Sequence, residues 1–422
     1  MVKFWKKGLA AITGTLMLAV TLLGPGIAPA YAAETAAKDH TYRIVTLGDS
    51  LTVGYEPDID PAVKPYYGFV ERLNEQALHY GRTEVTNLGI GGLKTEGLKN
   101  YIQAIVDERA ITADELQPGL SGIDPRTKQI GAAAAKAKSV VANADLITVT
   151  IGGNDMMSLV NTISEMNDEQ LKANIAQLFE QYTDNVTSVM TNLQLLNPGA
   201  AIVLADQYNP MPKIADEIAY AKLVAAAGEF TKLVDGLAAE FASQGVDIKV
   251  AHVAQKFVGS EITMTHILKK DIHPNQYGYE TMAIIFAETI WGSYKAPVVP
   301  AQGQPMRIVV KGKELNTPYK PILRDNLNYV AIQDIVNAVG ATTKWENKTS
   351  SATITFGDQT VVVTIGAKTV MVNGTAVPID TPAFLHKVGK EDKTYVPLAV
   401  IASGLGFDVQ YVSKQRTAFI NL

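Results

Sequence analysis

Four short motifs hold the residues of this sequence whose types and spacing could do chemistry. They are Gly48-Asp49-Ser50-Leu51, Asn87-Leu88-Gly89-Ile90-Gly91-Gly92, Gly152-Gly153-Asn154-Asp155 and Asp271-Ile272-His273-Pro274-Asn275. A serine hydroxyl becomes an effective nucleophile when an adjacent imidazole accepts its proton. The charge that then builds on an attacked carbonyl oxygen needs fixed donors, which a side-chain amide or a closely approaching glycine backbone can supply. These residue types together could carry out nucleophilic attack on a carbonyl carbon.

Each of these residues also has an ordinary structural interpretation. Serine often caps a helix and asparagine often forms a turn, so Ser50 and Asn154 could have only those roles. Of the six histidines, only His273 precedes a Pro-Asn pair at a predicted strand-to-helix junction, and His266 is the alternative in the same loop. No two histidines have the spacing of metal ligands with acidic residues around them, so we predict no metal centre and no cofactor.

The elements that must position these motifs alternate between strands and helices. Short apolar, β-prone runs predict five strands, at residues 42–47, 83–88, 145–151, 200–206 and 246–253. Helical patterns separate them, at residues 67–80, from 95 onward, and at 127–144, 168–195 and 216–243. Parallel neighbours need such crossover connections, so the pattern predicts a three-layer α/β/α sandwich with a five-stranded parallel sheet. The motifs then fall at the carboxyl ends of the strands, where open α/β sheets bind ligands.

Length and composition exclude several classes of protein. The chain has 422 residues, a formal charge of −5, 47% hydrophobic residues and no cysteine. A chain of this length usually forms more than one domain. The acidic balance gives no support to nucleic-acid binding, which usually requires a basic surface. A chain without cysteine forms no disulfide, has no thiolate nucleophile and carries no lipid on cysteine.

The first 32 residues are predicted to be a cleaved secretory signal. Three lysines within residues 3–7 precede an uncharged run of 16 residues, 8–23, and Ala30-Tyr31-Ala32 has the small-x-small pattern of a cleavage site. A membrane-spanning helix needs about 20 apolar residues. The run is therefore too short to span, and we expect no transmembrane segment after cleavage.

A different pattern follows the sandwich, which we place at residues 40–292. Residues 293–305 contain prolines and no amphipathic period, so we predict a linker there. In residues 306–422, Tyr329-Val330 recurs as Tyr395-Val396, and three further positions recur at the same spacing of 66 residues. An upstream match has a spacing of 62, which predicts an insertion near residues 389–392. This C-terminal region is predicted to be a small β-rich α+β domain built from two repeats.

The four motifs, taken in order, resemble those of the SGNH (GDSL) hydrolase superfamily of esterases and lipases, over residues 40–292. The resemblance implies a flavodoxin-like three-layer sandwich in which Ser50 is the nucleophile and His273 the general base. It also implies an oxyanion hole formed by the backbone N–H groups of Ser50 and Gly92 and the side-chain amide of Asn154. Three glycines lie within one turn here, and the spacing from Asn87 favours Gly92.

The acid of the implied triad departs from the family pattern. The family usually has aspartate three residues before the histidine, where this chain has Lys270, whereas Asp271 stands two residues before. The Asp271 carboxylate would accept the Nδ1 proton of His273 and hold the imidazole in the useful tautomer. The alternatives are a Ser–His dyad helped by backbone groups and an Asp271 that only caps the last helix.

The C-terminal region has a resemblance of its own. Val372-Asn373-Gly374, Tyr395-Val396-Pro397-Leu398 and Gly404-Leu405-Gly406 are similar to motifs of the stalk domain named after the N-terminal part of copper amine oxidases. Such domains occur in surface proteins of Gram-positive bacteria. The resemblance implies a secreted or cell-surface bacterial protein that associates with the cell wall through this region. It does not imply copper, because the region has a single histidine, His386.

The leading functional hypothesis is a secreted serine esterase or lipase that cleaves acyl esters through an acyl-enzyme. The alternatives are a surface protein that binds acylated glycans with little turnover, and an acyltransferase. The expected substrate is a small-molecule, lipid or glycan acyl ester. The sequence does not define the acyl chain, the alcohol, the ligand of the C-terminal region or the oligomeric state. Pocket size is expected to depend on the loops at residues 58–66 and 107–126.

Overall fold

The structure is a computed structural model that describes residues 40–324 and 327–422. The predicted signal, residues 1–32, lies outside the described residues. The sandwich is built on five strands: β1 (Tyr42–Gly48), β2 (Thr83–Gly89), β3 (Leu146–Thr150), β4 (Ala201–Ala205) and β5 (Ile248–Ala251). All neighbouring strands are parallel, and their order across the sheet is β2-β1-β3-β4-β5. This is the flavodoxin-like order.

The five strands end at one level. Gly48, the last residue of β1, pairs with Gly89 of β2 and with Thr150 of β3. Thr150 pairs in turn with Ala205 of β4, and Ala205 with Ala251 of β5. The segments that follow β1, β2 and β3 therefore leave the sheet side by side. Because the chain order reverses between β1 and β3, a crevice forms there, and open sheets bind their ligands at such a crevice.

Helices cover both faces of the sheet. They are α1 (Ser50–Val53), α2 (Phe69–Ala77), α3 (Thr95–Val106), α4 (Ala113–Leu116), α5 (Thr127–Ala132), α6 (Ala134–Ala142), α7 (Gly153–Thr162), α8 (Asp168–Leu196), α9 (Glu217–Ser243), α10 (Val253–Phe257), α11 (Glu261–Met264) and α12 (Gln276–Trp291). Alternate side chains of β1 point to opposite faces: Val45 packs into the core with α3, α6, α8 and α9, and Ile44 into the core with α2, α10 and α12. The predicted three-layer sandwich is confirmed. Within the described residues, no helix is both long and apolar enough to cross a bilayer.

Three elements differ from the sequence prediction. The helix predicted over residues 127–144 is interrupted at Ala133, where the Gly131 carbonyl accepts a hydrogen bond of 3.0 Å from the Ile111 N–H. A continuous helix would use that acceptor itself. Helix α7 was not predicted, because Gly152 and Gly153, the residue before it and its first residue, are typical of a turn. The motif containing His273 does not follow β5 directly, since α10 and α11 lie between them.

The C-terminal region is rich in β-structure, as predicted. Its elements are β6 (Arg307–Val310), β7 (Lys313–Glu314), β8 (Ile322–Arg324), β9 (Leu327–Ala331), α13 (Ile332–Val339), β10 (Thr342–Glu346), β11 (Ser351–Phe356), β12 (Gln359–Thr364), β13 (Thr369–Val372), β14 (Thr375–Pro378), β15 (Phe384–Val388), β16 (Glu391–Pro397), α14 (Leu398–Gly404), β17 (Asp408–Val412) and β18 (Thr417–Asn421). The strands form three sheets, ordered β10-β11-β12-β13-β14, β15-β16-β9-β8 and β17-β18-β6-β7. One hydrophobic core contains side chains from all three.

The two sequence repeats are related by a local twofold. Val330 and Val396, which are equivalent in the repeats, lie directly opposite each other in the antiparallel pair of β9 and β16. Each of these strands runs straight into a helix, α13 or α14, and then into a further strand. The β15–β16 hairpin is longer than the β8–β9 hairpin, and its tip at Gly389 lies where the four extra residues were predicted.

The C-terminal region packs against α2 of the sandwich. Gln415 donates a hydrogen bond of 2.7 Å to the Glu75 carboxylate, and both side chains are buried. Asn421 donates to the Leu78 carbonyl, at 2.8 Å, just beyond the end of α2. Leu78 itself packs against Phe419 of β18. These contacts tie the last strand of the chain to the sandwich.

The segment between the two regions contains neither helix nor strand over residues 293–305. It is nevertheless held at both ends. Gln76 of α2 binds both the N–H and the carbonyl of Lys295, at 2.8 and 2.9 Å. Arg416 donates to the carbonyls of Pro300 and Ala301. These hydrogen bonds fix the path of the segment along the sandwich.

Candidate active site

Ser50 lies at the end of β1, where the backbone turns sharply into the short helix α1. Gly48 has a φ of +140°, and a Cβ there would lie 2.1 Å from the Thr150 carbonyl oxygen, so only glycine fits. The Asp49 side chain caps α1 by accepting a hydrogen bond of 3.0 Å from the Leu51 N–H. As the first residue of α1, Ser50 has a backbone N–H with no acceptor inside the helix. The turn therefore presents the Ser50 hydroxyl and its N–H together.

His273 and Asp271 complete a hydrogen-bonded chain with Ser50. The His273 Nε2 lies 2.8 Å from the Ser50 Oγ, and the His273 Nδ1 lies 2.9 Å from the Asp271 Oδ1. A carboxylate can only accept, so the tautomer that fits this chain has its proton on Nδ1 and a lone pair on Nε2. The same Asp271 oxygen also accepts the His273 backbone N–H at 2.9 Å. The structure thus brings these three predicted residues together, although Asp271 stands one position closer to the histidine than the family pattern has it.

The loop that carries His273 is fixed from several sides. Asn275 caps α12 by accepting from the Tyr277 and Gly278 N–H groups. The hydroxyl of Tyr208 donates to the Ile272 carbonyl at 2.8 Å. The Tyr55 ring lies edge-on against the imidazole, with ring centroids 4.6 Å apart. These contacts hold the imidazole in position against Ser50.

His266, the alternative histidine, lies beside this loop. Its Nε2 is 3.2 Å from the Glu56 Oε2, and its backbone N–H donates to the His273 carbonyl at 2.9 Å. It therefore supports the His273 loop, while the hydrogen bond to the Ser50 hydroxyl comes from His273.

Two titratable groups beside Ser50 are perturbed by burial. Burial lowers the pKa of the His273 imidazole below its ordinary value of 6.5, and the nearby Asp271 carboxylate opposes that shift. Burial raises the pKa of the Asp49 carboxyl to about 7, and the negative charge of Asp155 adds to the effect. His273 is therefore neutral, and able to accept a proton, at neutral pH.

Asn154 lies in the first turn of α7, at the end of β3. Gly152 precedes it with a φ of +113°, and a Cβ there would lie 2.8 Å from the Tyr182 ring. The Asn154 amide donates a hydrogen bond of 2.9 Å to the Leu93 carbonyl. An amide nitrogen has two hydrogens, so one stays available toward the cavity that Asn154 lines together with Ser50. The positive end of the α7 dipole lies at the same place and favours negative charge there.

The three candidate glycines lie at the end of β2 and in the turn that follows it, and hydrogen bonding distinguishes them. Gly89 donates its N–H to the Asn87 Oδ1, and Gly91 donates its N–H to the Asp124 Oδ2, both at 2.9 Å. Of the three glycines, Gly92 is thus the one whose N–H has no hydrogen-bond acceptor among the described residues. The hydrogen bond from Asn154 to Leu93 joins this turn to the start of α7.

A cavity of about 120 Å³ opens beside Ser50. Its polar lining comes from the segments that follow the strands: Asp49, Ser50, Asn154, Gln207, Asn209 and His273. Its apolar lining comes mostly from three helices: Met156, Met157, Leu159 and Val160 of α7, Phe179 of α8, and Leu223, Ala226, Ala227 and Phe230 of α9. The loops at residues 58–66 and 107–126, where the sequence placed the determinants of pocket size, do not bound this cavity.

The sequence did not reveal the residues that support the site. Asp124 accepts the Gly91 N–H and pairs with Arg126 at 2.6 Å. Although burial opposes it, these hydrogen bonds hold the pKa of Asp124 below its usual range. Nothing in the Asp124-Pro-Arg126 sequence distinguishes it from an ordinary turn, so only the fold places it beside the glycine turn.

Within the described residues, no group of three or more His, Asp or Glu side chains could hold a metal ion.

Comparisons with known proteins agree with both resemblances. Residues 46–281 match the family model of the GDSL-like Lipase/Acylhydrolase family, and residues 309–420 match that of the Copper amine oxidase N-terminal domain. The predicted families of the two regions are thereby confirmed. The chain is 23% identical over 254 residues to the uncharacterized protein YpmR of Bacillus subtilis (strain 168), an alignment that covers 59% of this chain and 81% of that protein.

Two solved structures are also similar to this chain. The lipase Lip_vut3 from a goat rumen metagenome is 19% identical, with 60% of this chain and 98% of that chain covered and a TM-score of 0.40. An extracellular lipase from Streptomyces rimosus is 16% identical, with 59% and 100% covered and a TM-score of 0.40.

Proposed function

This chain belongs to the GDSL-like lipase/acylhydrolase family, and we propose that it is a carboxylic ester hydrolase that works through an acyl-enzyme on Ser50. The observation that carries the proposal is the continuous hydrogen-bonded chain from Ser50 through His273 to Asp271. A serine hydroxyl whose proton is accepted by a neutral imidazole can attack a carbonyl carbon.

In the first half of the proposed reaction, the Ser50 Oγ attacks the ester carbonyl and its proton passes to the His273 Nε2. The imidazolium that forms is stabilised by the Asp271 carboxylate on Nδ1. His273 then returns the proton to the leaving alkoxide, the carbon–oxygen bond to the alcohol breaks, and the acyl group stays on Ser50. In the second half, His273 accepts a proton from water as the water oxygen attacks the acyl carbon. The bond between the acyl carbon and the Ser50 Oγ then breaks, His273 returns the proton to the Ser50 Oγ, and the acid leaves.

The tetrahedral intermediate of each half carries its negative charge on the former carbonyl oxygen. We assign its stabilisation to the backbone N–H groups of Ser50 and Gly92 and to the free hydrogen of the Asn154 amide. These donors come from the ends of β1, β2 and β3, which terminate at one level. Fixed donors of this kind need no reorganisation during the reaction, and loss of one commonly costs about 10²–10³ in rate.

The test of the proposed function is covalent capture by a fluorophosphonate, which reacts with activated serines. The wild-type chain is expected to be labelled on Ser50, and Ser50→Ala is expected to be folded, unlabelled and inactive on aryl esters. Ser139→Ala, which removes an exposed serine of α6, serves as the matched control and should be labelled like the wild type. A folded wild-type chain that is neither labelled nor active would overturn the proposal in favour of a surface binding protein.

The choice between water and a sugar as the acceptor is tested separately. We propose that water accepts the acyl group, so alcohol and acid should be released in equal amounts. The measurement is the ratio of the two products in the presence and absence of an added saccharide. Acid release well below alcohol release, with acylated saccharide as the balance, would indicate an acyltransferase that uses the same acyl-enzyme.

We further propose that the chain is exported by a Gram-positive bacterium and held at the cell surface by its C-terminal region. The proposal rests on the predicted signal at residues 1–32 and on the match of residues 309–420 to a stalk-type domain. The test is expression in a Gram-positive host with N-terminal sequencing of the exported product. A mature chain beginning at Ala33 supports export. Recovery in the cytoplasm with Met1 retained would contradict it.

A further inference from the structure

We propose that the cavity beside Ser50 binds the acyl chain of the substrate, so that esters of long apolar acids are preferred to acetyl esters. This inference rests on the proposed function, because it assigns the acyl group that Ser50 would carry. It concerns the substrate class, which neither the four motifs nor the family match defines.

The lining of the cavity changes character along its length. At the strand ends it is polar and contains the Ser50 hydroxyl and the His273 imidazole. Between the helices it is made of aliphatic, methionine and phenylalanine side chains, such as Met157, Leu223 and Phe230. The titratable groups of the lining are Asp49, Tyr208 and His273. The Tyr208 hydroxyl binds the carbonyl of Ile272, next to His273, so all three lie at the polar end. A ligand with one reactive polar end and a long uncharged tail matches this arrangement.

The cavity also separates two parts of the apolar interior. Phe230 of α9 belongs to the main core of the sandwich, where it packs against Tyr182 with ring centroids 4.7 Å apart. Leu159, Leu223 and Ala226 belong to a distinct hydrophobic cluster formed by α7, α8 and α9. Protein interiors are normally filled to the density of organic crystals. Space left between two apolar clusters, open to the Ser50 hydroxyl, suits an apolar ligand that completes the packing.

The size of the cavity favours a long acyl chain over the smallest acyl groups. A single buried water needs only about 10–15 Å³, so a cavity of about 120 Å³ has room for much more than an acetyl group. An acetyl group would occupy only a small part of it and leave the apolar walls without partners.

The acyl part of the ester, rather than the alcohol, fits this position. The alcohol must receive a proton from the His273 Nε2 and then leave, and water must reach the same nitrogen for the second half of the reaction. The acyl group stays attached to Ser50 throughout. An acyl chain bound in the apolar cavity keeps the carbonyl oxygen of the acyl-enzyme next to the Asn154 amide. It also leaves the His273 Nε2 accessible to water.

The test is a series of aryl esters that share one alcohol and differ in acyl length from two to sixteen carbons. For the wild type, kcat/KM should rise by up to about fourfold for each added methylene, which corresponds to about 0.8 kcal/mol, and should level off once the acyl chain fills the cavity. A second series, of acetyl esters with lengthening alcohols, should show no comparable rise.

Two variants on α9 test whether the cavity causes the preference for long acyl chains. Ala227 lines the cavity, whereas Ala225 lies exposed on the other side of the same helix. Ala227→Phe should fill the cavity and lower the ratio of kcat/KM for a ten-carbon ester to that for acetate by about 100-fold, the sum of several lost methylenes. Ala225→Phe, the matched control, should leave that ratio unchanged. Leu223→Trp is the second filling variant if Ala227→Phe does not fold, with folding checked by circular dichroism.

The outcomes separate this inference from the proposed function. If Ser50 is labelled and esters are cleaved, but acyl length has no effect or both filling variants leave the ratio unchanged, the cavity proposal is wrong and the esterase stands. A preference that follows alcohol length instead would assign the cavity to the alcohol and equally overturn it. If Ser50 is not labelled and no ester is cleaved, the proposed function itself fails.

Discussion

The sandwich and the C-terminal region use buried polar side chains in opposite ways. In the sandwich, Ser50, His273 and Asp271 hydrogen-bond to one another beside an open cavity. In the C-terminal region, Gln415 and Asn421 are more completely buried, and they bind Glu75 and backbone carbonyls at the end of α2. Both arrangements satisfy polar groups away from water. Only the first leaves a hydroxyl and a lone pair where a ligand can reach them.

The difference has a physical basis in what each group is paired with. A side chain that is bound to a backbone carbonyl or to a buried carboxylate has no free capacity for chemistry, and its loss leaves a buried partner without that hydrogen bond. In the proposed mechanism, a proton passes from Ser50 to His273 while Asp271 stabilises the imidazolium. Loss of any of these side chains should therefore change the reaction more than the fold. Substitutions in the first set should therefore lower activity at constant stability, and substitutions in the second should do the reverse.

The largest effect is expected for Asp271→Asn. The amide oxygen can still accept the His273 backbone N–H, but the amide no longer stabilises the imidazolium or selects the Nδ1-protonated tautomer. We expect kcat to fall by about 10⁴, with a melting temperature within about 2 °C of the wild type. The measurements are steady-state ester hydrolysis and differential scanning calorimetry.

The control for this variant is Asp58→Asn, which removes an exposed carboxylate paired with Lys269 on the neighbouring loop. It should leave kcat unchanged. A loss smaller than about tenfold in Asp271→Asn would show that Ser50 and His273 work as a dyad with backbone help, and that Asp271 only orders the loop.

A smaller loss is expected when Asn154 is replaced by alanine. The variant removes one proposed oxyanion donor and the hydrogen bond to the Leu93 carbonyl. We expect kcat to fall by about 10²–10³, with KM changed little because the donor acts mainly on the transition state. Asn143→Ala, which truncates an exposed asparagine bonded to the Ser139 carbonyl, is the control. A rise in KM at unchanged kcat would instead assign Asn154 to substrate binding.

The pH dependence distinguishes His273 from its acidic neighbour Asp49. His273 accepts a proton only when neutral, so kcat/KM should fall about tenfold per pH unit below its pKa. Because burial lowers that pKa, the fall should begin below pH 6.5. Burial raises the pKa of Asp49 to about 7, so this group titrates in a nearby range. In Asp49→Asn the acidic limb should persist, and its disappearance would assign the limb to Asp49.

Much of the sandwich could be predicted from the sequence, because its signals are local. The five strands are apolar and β-prone, and β3, which is buried along its whole length, gave a continuous apolar run. Helix α7 gave no clear signal in the sequence, because the glycines at its start are typical of a turn. The cavity that α7 lines was therefore not predicted either. The hydrogen bond between Gly91 and Asp124 joins residues 33 positions apart, so which glycine N–H stays free could be settled only by the fold.

The contacts between the C-terminal region and the sandwich could not be predicted from the sequence, for a related reason. Gln415 lies just before β18, and Asn421 is the last residue of β18. Both are ordinary polar residues, and their partners lie 340 and 343 positions away in the sequence. Two of the acceptors of Asn421 are backbone carbonyls, which any sequence provides. The repeat, by contrast, could be found at once, because Val330 and Val396 lie in copies of one local pattern.

The smallest effect on activity, and the clearest effect on stability, is expected for Asn421→Ala. The side chain is 2% exposed, and its amide donates to the carbonyls of Leu78 and Gly81 at 2.8 and 3.0 Å. Truncation removes the donor from the buried Leu78 contact and from the partly buried Gly81 contact, which should cost about 1–3 kcal/mol. We expect a lower melting temperature and kcat/KM within about twofold of the wild type, since no residue of the Ser50 site is touched.

The control is Gln333→Ala, which removes an exposed hydrogen bond on α13 and should leave the melting temperature unchanged. The shape of the unfolding curve then decides how the two regions depend on each other. If the contacts with α2 join them into one cooperative unit, Asn421→Ala shifts a single transition. If the variant splits off an early transition while ester hydrolysis survives to the later one, the C-terminal region unfolds by itself. A variant that loses activity in proportion to stability would instead mean that α2 transmits strain to the loop of His273, and that the contrast between the two regions does not hold.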